Sequence, residues 1–266
     1  MFANCGNAVF NFSELPKGMT SAPYMFFNCK KAKLPLTSLP DGLTNGRSMF
    51  NGCTNATLPL TSLPAGLTNG SYMFHSCTNA TFPFTSLPDG LTNGSYMFDG
   101  CTNATLPLTS LPAGLTDGQV MFYSCTNATL PLTSLPDGLT NGRSMFNGCT
   151  NATLPLTSLP SGLTNGSYMF QNCTNAMLTL TRLPSGLTSL VAAFLSALLA
   201  EINLDDLTAN APEGGWTGVT SIENIFYNAG SGNSPGTVTG SRSAFLAKFP
   251  NVTSTTNAFY GTNTTE

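Results

Sequence analysis

The stretch that decides the fold runs from Cys53 to Ser76, C-T-N-A-T-L-P-L-T-S-L-P-A-G-L-T-N-G-S-Y-M-F-H-S, after which Cys77 opens the same pattern again. Cysteines stand at Cys5, Cys29, Cys53, Cys77, Cys101, Cys125, Cys149 and Cys173, a constant step of 24 residues. A fixed period of this size marks a solenoid or a propeller. The four strands of a propeller blade need about 40 residues or more. This unit has room for one strand, one turn and a short return, so the pattern predicts a repeat solenoid.

Within the unit, Ala56, Leu58 and Leu60 alternate with Thr57, Pro59 and Thr61, the period of a strand with one buried face. Pro59 removes one ladder donor and recurs as Pro35, Pro83, Pro107, Pro131 and Pro155, so the expected strand is short. Leu63-Pro64-Ala65-Gly66-Leu67 then turns the chain, and Asn69-Gly70 tolerates a positive φ. Ser71 to Cys77 predicts about two helical or 3₁₀ turns with Phe74 and Cys77 on one side. One unit cannot bury these apolar positions alone. Stacking at about 4.8 Å per coil joins them into Leu, Phe and Cys columns.

These residues carry a resemblance. L-x-L-x-x-L-P-x-G-L, as in Leu58 to Leu67, looks like a leucine-rich repeat, and L-T-N-G-S-Y-M-F-x-x-C resembles the return segment of the BspA-like leucine-rich repeats. The match covers about Met1 to Leu187. It implies a leucine-rich-repeat solenoid of short parallel strands with helical or 3₁₀ returns. It also implies a surface protein of bacteria, some protists or phage-like elements, used in adhesion or host attachment, with no enzyme activity.

Residues 1–187 are read as the array and 188–266 as degenerate repeats and a helix-containing cap. Thr179 replaces the strand proline and Ala197 the cysteine. Leu190 to Ala200, rich in helix formers, predicts a buried capping helix, too short to span about 30 Å of hydrocarbon. Val219 to Phe226 and Phe249 to Phe259 echo the unit at longer spacing, and Asn228 to Gly240 reads as a mobile loop. Met1-Phe2 and Cys5 are in register with Met25-Phe26 and Cys29, so the chain opens mid-repeat. The expectation is a fragment of a longer protein whose signal peptide lies elsewhere, extracellular or cell-surface, with a phage virion as the alternative.

Composition narrows the chemistry. Of 266 residues 8% are charged and 41% hydrophobic, far from the signature of disorder. The net charge is −3 with scattered basic residues, which argues against nucleic acid. His75 is the lone histidine, and no nucleophile has a base beside it in a recognisable motif, so neither catalysis, cofactor nor metal is expected. Inward-facing cysteines read as buried free thiols, with disulfides between neighbouring coils as the alternative and metal binding a poor third. The recurring Asn55, Asn79, Asn103 and Asn127 read as a ladder bonding backbone at the bend, and Asp41, Asp89 and Asp137 as solvated turn residues. Trp216, the single tryptophan, reads as core of the cap rather than a sugar-stacking surface.

Variation between units concentrates in two pairs flanking Met-Phe. Ser71-Tyr72 appears elsewhere as Arg47-Ser48, Gln119-Val120 and Arg143-Ser144. His75-Ser76 appears as Asn51-Gly52, Asp99-Gly100, Tyr123-Ser124 and Gln171-Asn172. Stacked coils turn these positions into a ridge, and Arg47, Tyr72, His75, Tyr96, Asp99, Gln119, Tyr123, Arg143, Tyr168 and Gln171 are its candidate binding residues. Free drift of exposed positions would leave the same variation. Thr57, Pro59 and Thr61 instead recur almost unchanged, either a flat face for an extended or repetitive partner or the product of copying. Leu34 to Pro64 is identical to Leu130 to Pro160, which speaks for copying. The function expected is a non-enzymatic adhesion or recognition module binding a protein or glycan on a cell surface, without membrane insertion. A phage tail or receptor-binding component and a structural spacer are the alternatives.

Overall fold

Eight consecutive backbone N–H groups, from Gly70 to Cys77, show how one unit joins the next. The N–H groups of Gly70, Tyr72, Phe74 and Ser76 donate to the carbonyls of Asn93, Ser95, Met97 and Asp99 in the following coil, at 2.7–2.9 Å. Those of Met73, His75 and Cys77 donate back within their own coil, to Gly70, Tyr72 and Phe74, while the Ser71 N–H is taken by the Asn69 side chain. No donor in the segment is left over, as a buried backbone requires. The computed structural model that shows this describes residues 2–56, 58–230 and 236–266.

The expected helical or 3₁₀ return is therefore a run of tight turns. A helix keeps all its interior donors inside the segment, whereas here alternate donors leave for the neighbour. Two residues per turn run adopt the left-handed region, Tyr72 at φ 57° and Ser76 at φ 57°, and the same two positions do so in coil after coil. The expected strand through Ala56 to Leu60 is corrected as well. Parallel pairing is reached through isolated bridges at the Asn-Gly position instead, running from Ser21 through Asn45, Asn69, Asn93, Asp117, Asn141 and Asn165 to Ser189. The proline removes the donor a ladder needs at the first place. At the second, the Thr44 carbonyl accepts from the N–H and the hydroxyl of Thr68 and from the N–H of Asn69.

Burial follows the columns. Phe26, Phe50, Phe74, Phe98, Phe122, Phe146, Phe170, Phe194 and Phe226 stack with centroids 5.4–5.7 Å apart and planes within 13° of parallel. Each ring is fully buried, which contributes about 1.5–3 kcal/mol apiece. Methionines form a second column that needs glycine beside it: a methyl group on Gly94 would sit 3.0 Å from Met121 Cε. All eight cysteines carry free thiols, and seven are buried. Each buried Sγ donates to the phenylalanine carbonyl of the coil before, as Cys77 does to Phe50 at 3.1 Å.

Leu190 to Ala200 is not a capping helix but one more coil. Phe170 N–H reaches Ala193 O at 2.8 Å, Ala192 and Ser196 take the left-handed positions, and the Phe194 ring lies between Phe170 and Phe226. Column packing and hydrogen bonds to both neighbours override helix propensity, a difference of tenths of a kcal/mol per residue. Ile222 to Asn228 and Ser254 to Tyr260 continue the pattern, with Phe194 N–H to Ile225 O and Phe226 N–H to Ala258 O at 2.9 Å.

The longer spacing of these last coils holds the helices and strands. β1 (Glu201–Asn203) leads into α1 (Leu204–Ala209), and β2 (Thr237–Thr239) is followed by α2 (Arg242–Leu246). β1 and β2 pair in parallel, Ile202 opposite Val238. Asn203 caps α1 by accepting from Asp205 N–H, and Ser241 caps α2 by accepting from Ala244 N–H. The stretch read as a mobile loop is thus strand at Thr237–Thr239, while its residues 231–235 lie outside the described residues. Trp216 is fully buried, stacks on Phe249 at 4.9 Å and donates to Pro184 O at 2.9 Å, as its reading as core required.

Candidate functional site

The ridge forms from the turn runs. Since both variable pairs occupy the same hydrogen-bonded turns in every coil, their side chains fall into rows crossing the units. The second member of each pair is left-handed, including Tyr72, Tyr96 and Tyr168 at φ 57–59°. Bulky side chains seldom adopt that region, and here two inter-coil hydrogen bonds on either side hold them in it.

Most of the sequence-predicted residues are brought into contact. Arg47 Cζ lies 5.9 Å from the centroid of Tyr72, whose other face stacks on Tyr96 at 4.4 Å and 5°. Gln119 Nε2 donates to the Tyr96 hydroxyl at 3.2 Å and its Oε1 accepts from Asn141 at 3.1 Å, so one connected row crosses five coils. Beside it, His75 Nδ1 lies 3.1 Å from Asn51 Oδ1, and Nε2 lies 3.2 Å from Asp99 Oδ2, an ion pair when the ring is protonated. Higher up, Arg143 lies 5.8 Å from the Tyr168 centroid and Gln171 Oε1 accepts from Asn147 at 2.8 Å. Tyr123 stands apart, 39% exposed and without a side-chain hydrogen bond among the described residues.

Burial, followed by the neighbouring Tyr96, pushes the Tyr72 phenol above its ordinary value, and the Arg47 charge pulls the other way. A phenol raised above its ordinary value keeps its proton at physiological pH, so Tyr72 is neutral there. Three ridge residues were missed from sequence: Asn51, Asn141 and Asn147 bond the variable side chains of a neighbouring coil. For Asn51 and Asn147 the signal was present, since both occupy a variable position.

The second candidate face is simpler. Thr61 and Pro59 are exposed, and Thr57 lies outside the described residues. A shallow groove between two coils is lined by Thr61, Leu63, Pro83, Phe84, Thr85 and Pro88. The asparagine ladder bonds its own neighbours rather than backbone: Asn103 Nδ2 donates to Asn79 Oδ1 at 2.7 Å. Among the described residues no cluster of three or more His, Cys, Asp or Glu side chains is placed to hold a metal ion, and no helix is long and apolar enough to cross a membrane.

A leucine-rich repeat protein from Bacteroides ovatus, solved by crystallography, aligns with 91% of this chain and 82% of its own at 17% identity and a TM-score of 0.27. No curated protein matches the chain. The family model for the BspA type leucine rich repeat region matches in six copies over residues 1–105 and 93–223. Repeats of this type are protein-interaction modules and generally not enzymes. By that match, which spans most of its length, the chain belongs to the BspA-type leucine-rich repeat family.

Proposed function

We propose that the chain is a non-enzymatic recognition module at a cell surface, a solenoid whose ridge binds a partner protein. In this reading residues 1–187 form the regular array and 188–266 its degenerate units and cap. The observation that carries it is the concentration of chemical variety on one surface whose side chains contact each other across coils. Units whose core differs only at Phe82 and Phe84, which stand where the others have leucine, differ at Arg47, Tyr72, His75, Asp99 and Gln119, and those side chains interlock across coils. A surface rich in Tyr and Arg, with its rotamers held by neighbours, is suited to protein binding at low ordering cost.

Glycan binding by ring stacking has less support on this surface. Tyr72 is already stacked on Tyr96 at 4.4 Å and has Arg47 at 5.9 Å from its ring, contacts a stacking sugar would compete with. Adhesion to a host cell remains the finer form of the proposal, supported by the surface association typical of this repeat family.

The test is a triple alanine variant, Tyr72→Ala, His75→Ala and Tyr96→Ala, assayed for attachment to cells beside the parent chain. Attachment falls by about tenfold or more if these residues form a central hot spot, with the far-UV circular dichroism unchanged. Unchanged attachment would move the site to the Thr/Pro face. A spacer without its own ligand is the second reading, favoured by the identity of Leu34–Pro64 and Leu130–Pro160. It predicts no attachment by the parent chain.

A further inference from the structure

Arg47 and Arg143 occupy the same place in two units four coils apart. In both, the guanidinium lies over the tyrosine of the following coil, at 5.9 and 5.8 Å. Both arginines are exposed, and among the described residues neither meets a carboxylate or makes a side-chain hydrogen bond. A guanidinium resting on a ring keeps its hydrogen-bond donors available while losing part of its rotamer freedom. The chain thus presents the same unpaired, pre-positioned cation twice.

The spacing gives this pair a meaning. Coils that hydrogen-bond in parallel lie about 4.8 Å apart, so four steps separate the two guanidinium groups by about 19 Å. An extended peptide rises about 3.3 Å per residue, so carboxylates six residues apart span about 20 Å. Between the two arginines the ridge carries Asp99, paired with His75, and Asp117, which accepts from Asn141. These carboxylates disfavour an acidic group at the centre of a bound segment.

We infer that Arg47 and Arg143 form a bivalent platform for an extended protein segment with acidic residues about six positions apart and neutral or basic residues between them. The inference rests on the ridge being the protein-binding surface and names the chemistry of its partner. One exposed arginine–carboxylate pair contributes about 0.2–1 kcal/mol, too little to hold a partner. Two on one rigid scaffold make the second contact intramolecular, and the affinity then depends on matched spacing. Bidentate hydrogen bonding of each carboxylate by the planar guanidinium adds direction to the charge.

The experiment uses the full chain and two fluorescein-labelled peptides of equal composition at low ionic strength. One peptide has two Glu-Glu pairs centred six residues apart, and the other has them three apart. Fluorescence anisotropy is expected to show the wider peptide binding up to about fivefold more tightly, the worth of one further exposed pair. Arg47→Ala and Arg143→Ala should each abolish that advantage while the chain stays folded, since each loses only an exposed cation–π contact of about 0.5–1 kcal/mol. Equal binding of the two peptides, or a preference that survives both substitutions, overturns the inference. If peptide binding is lost in the Tyr72, His75 and Tyr96 triple alanine variant yet survives both arginine substitutions, the ridge reading stands and the twin-arginine inference falls. If it survives all of these substitutions, both fall. Arginine-dependent binding of polygalacturonate, with neither peptide bound, would make the partner an anionic glycan and overturn the inference as well.

Discussion

Tyr72 and Tyr96 stack face to face with centroids 4.4 Å apart and planes 5° from parallel, although both hold their backbone at positive φ, 57° and 58°. An offset aromatic pair contributes about 0.5–1.5 kcal/mol beyond its burial, while a left-handed non-glycine residue costs about 1–2 kcal/mol. The two effects are of similar size. The stack offsets a backbone conformation that the turn run needs in every coil.

The first prediction follows from that balance. Tyr96→Ala loses the stack and keeps the strain, whereas Tyr96→Gly loses both. The glycine variant should therefore be more stable than the alanine variant by about 1 kcal/mol, the reverse of the order inside a helix. Val120, at φ 57° in the next coil, is β-branched and has no stacking partner, so Val120→Gly should raise stability by about 1 kcal/mol. Urea midpoints with unchanged slopes would measure both. Equal midpoints for Tyr96→Ala and Tyr96→Gly would contradict the argument.

What was legible in the sequence was whatever repeats by identity. The 24-residue step placed Phe74 and Cys77 in columns and located the variable pairs, because columns need only the same residue at the same place. The backbone path through Ser71 to Ser76 was not legible. Left-handed residues announce themselves when they are glycine or asparagine, and here Tyr72, Val120 and Ala192 take the position. Leu190 to Ala200 misled for the same reason: its helix formers act locally, while its conformation is set by hydrogen bonds to Tyr168 and Phe226 coils on either side. Asn69, read as a turn residue, is where the coils pair.

A second prediction concerns the ring column. Phe98 is fully buried between Phe74 and Phe122, with Phe82 edge-on at 5.3 Å. Phe98→Ala should cost about 3–5 kcal/mol, and Phe98→Leu considerably less, since it restores most of the volume. A thermal melt that separates into two transitions in the alanine variant would show the column uncoupled at that coil.

The thiols give a third prediction. Burial pushes the Cys53 and Cys149 thiols up from 9.0 to about 12. A raised folded value means that the unfolded chain releases its protons first. The stability these neutral thiols contribute is complete below pH 9 and is lost between pH 9 and about 12, at up to about 1.4 kcal/mol per pH unit for each thiol. Chemical denaturation followed from pH 8 upward should fall steeply, and Cys53→Ala with Cys149→Ala should flatten the fall. Iodoacetamide on the folded chain should label Cys5, the partly exposed one, and spare the seven buried thiols until denaturant is added.

The last prediction tests whether the thiol belongs to the coil rather than to the residues around it. Each buried Sγ donates to the phenylalanine carbonyl 27 residues earlier, from Cys53 to Phe26 through Cys173 to Phe146. Ala197 stands at the next position of that column, fully buried, and the corresponding acceptor is Phe170 O. The register between these two coils is unbroken, because Tyr168 and Phe170 donate to Val191 and Ala193 as their equivalents do elsewhere. Ala197→Cys should therefore place its thiol on the Phe170 carbonyl and raise stability by about 0.5–1.5 kcal/mol, the net gain of a buried hydrogen bond. Should the site have closed around alanine, the extra sulfur would overpack it and cost about 1–3 kcal/mol instead. The sign of the shift in the urea midpoint separates the two, and a loss would mean that the hydrogen bond is set by local packing and not by the stacking of coils.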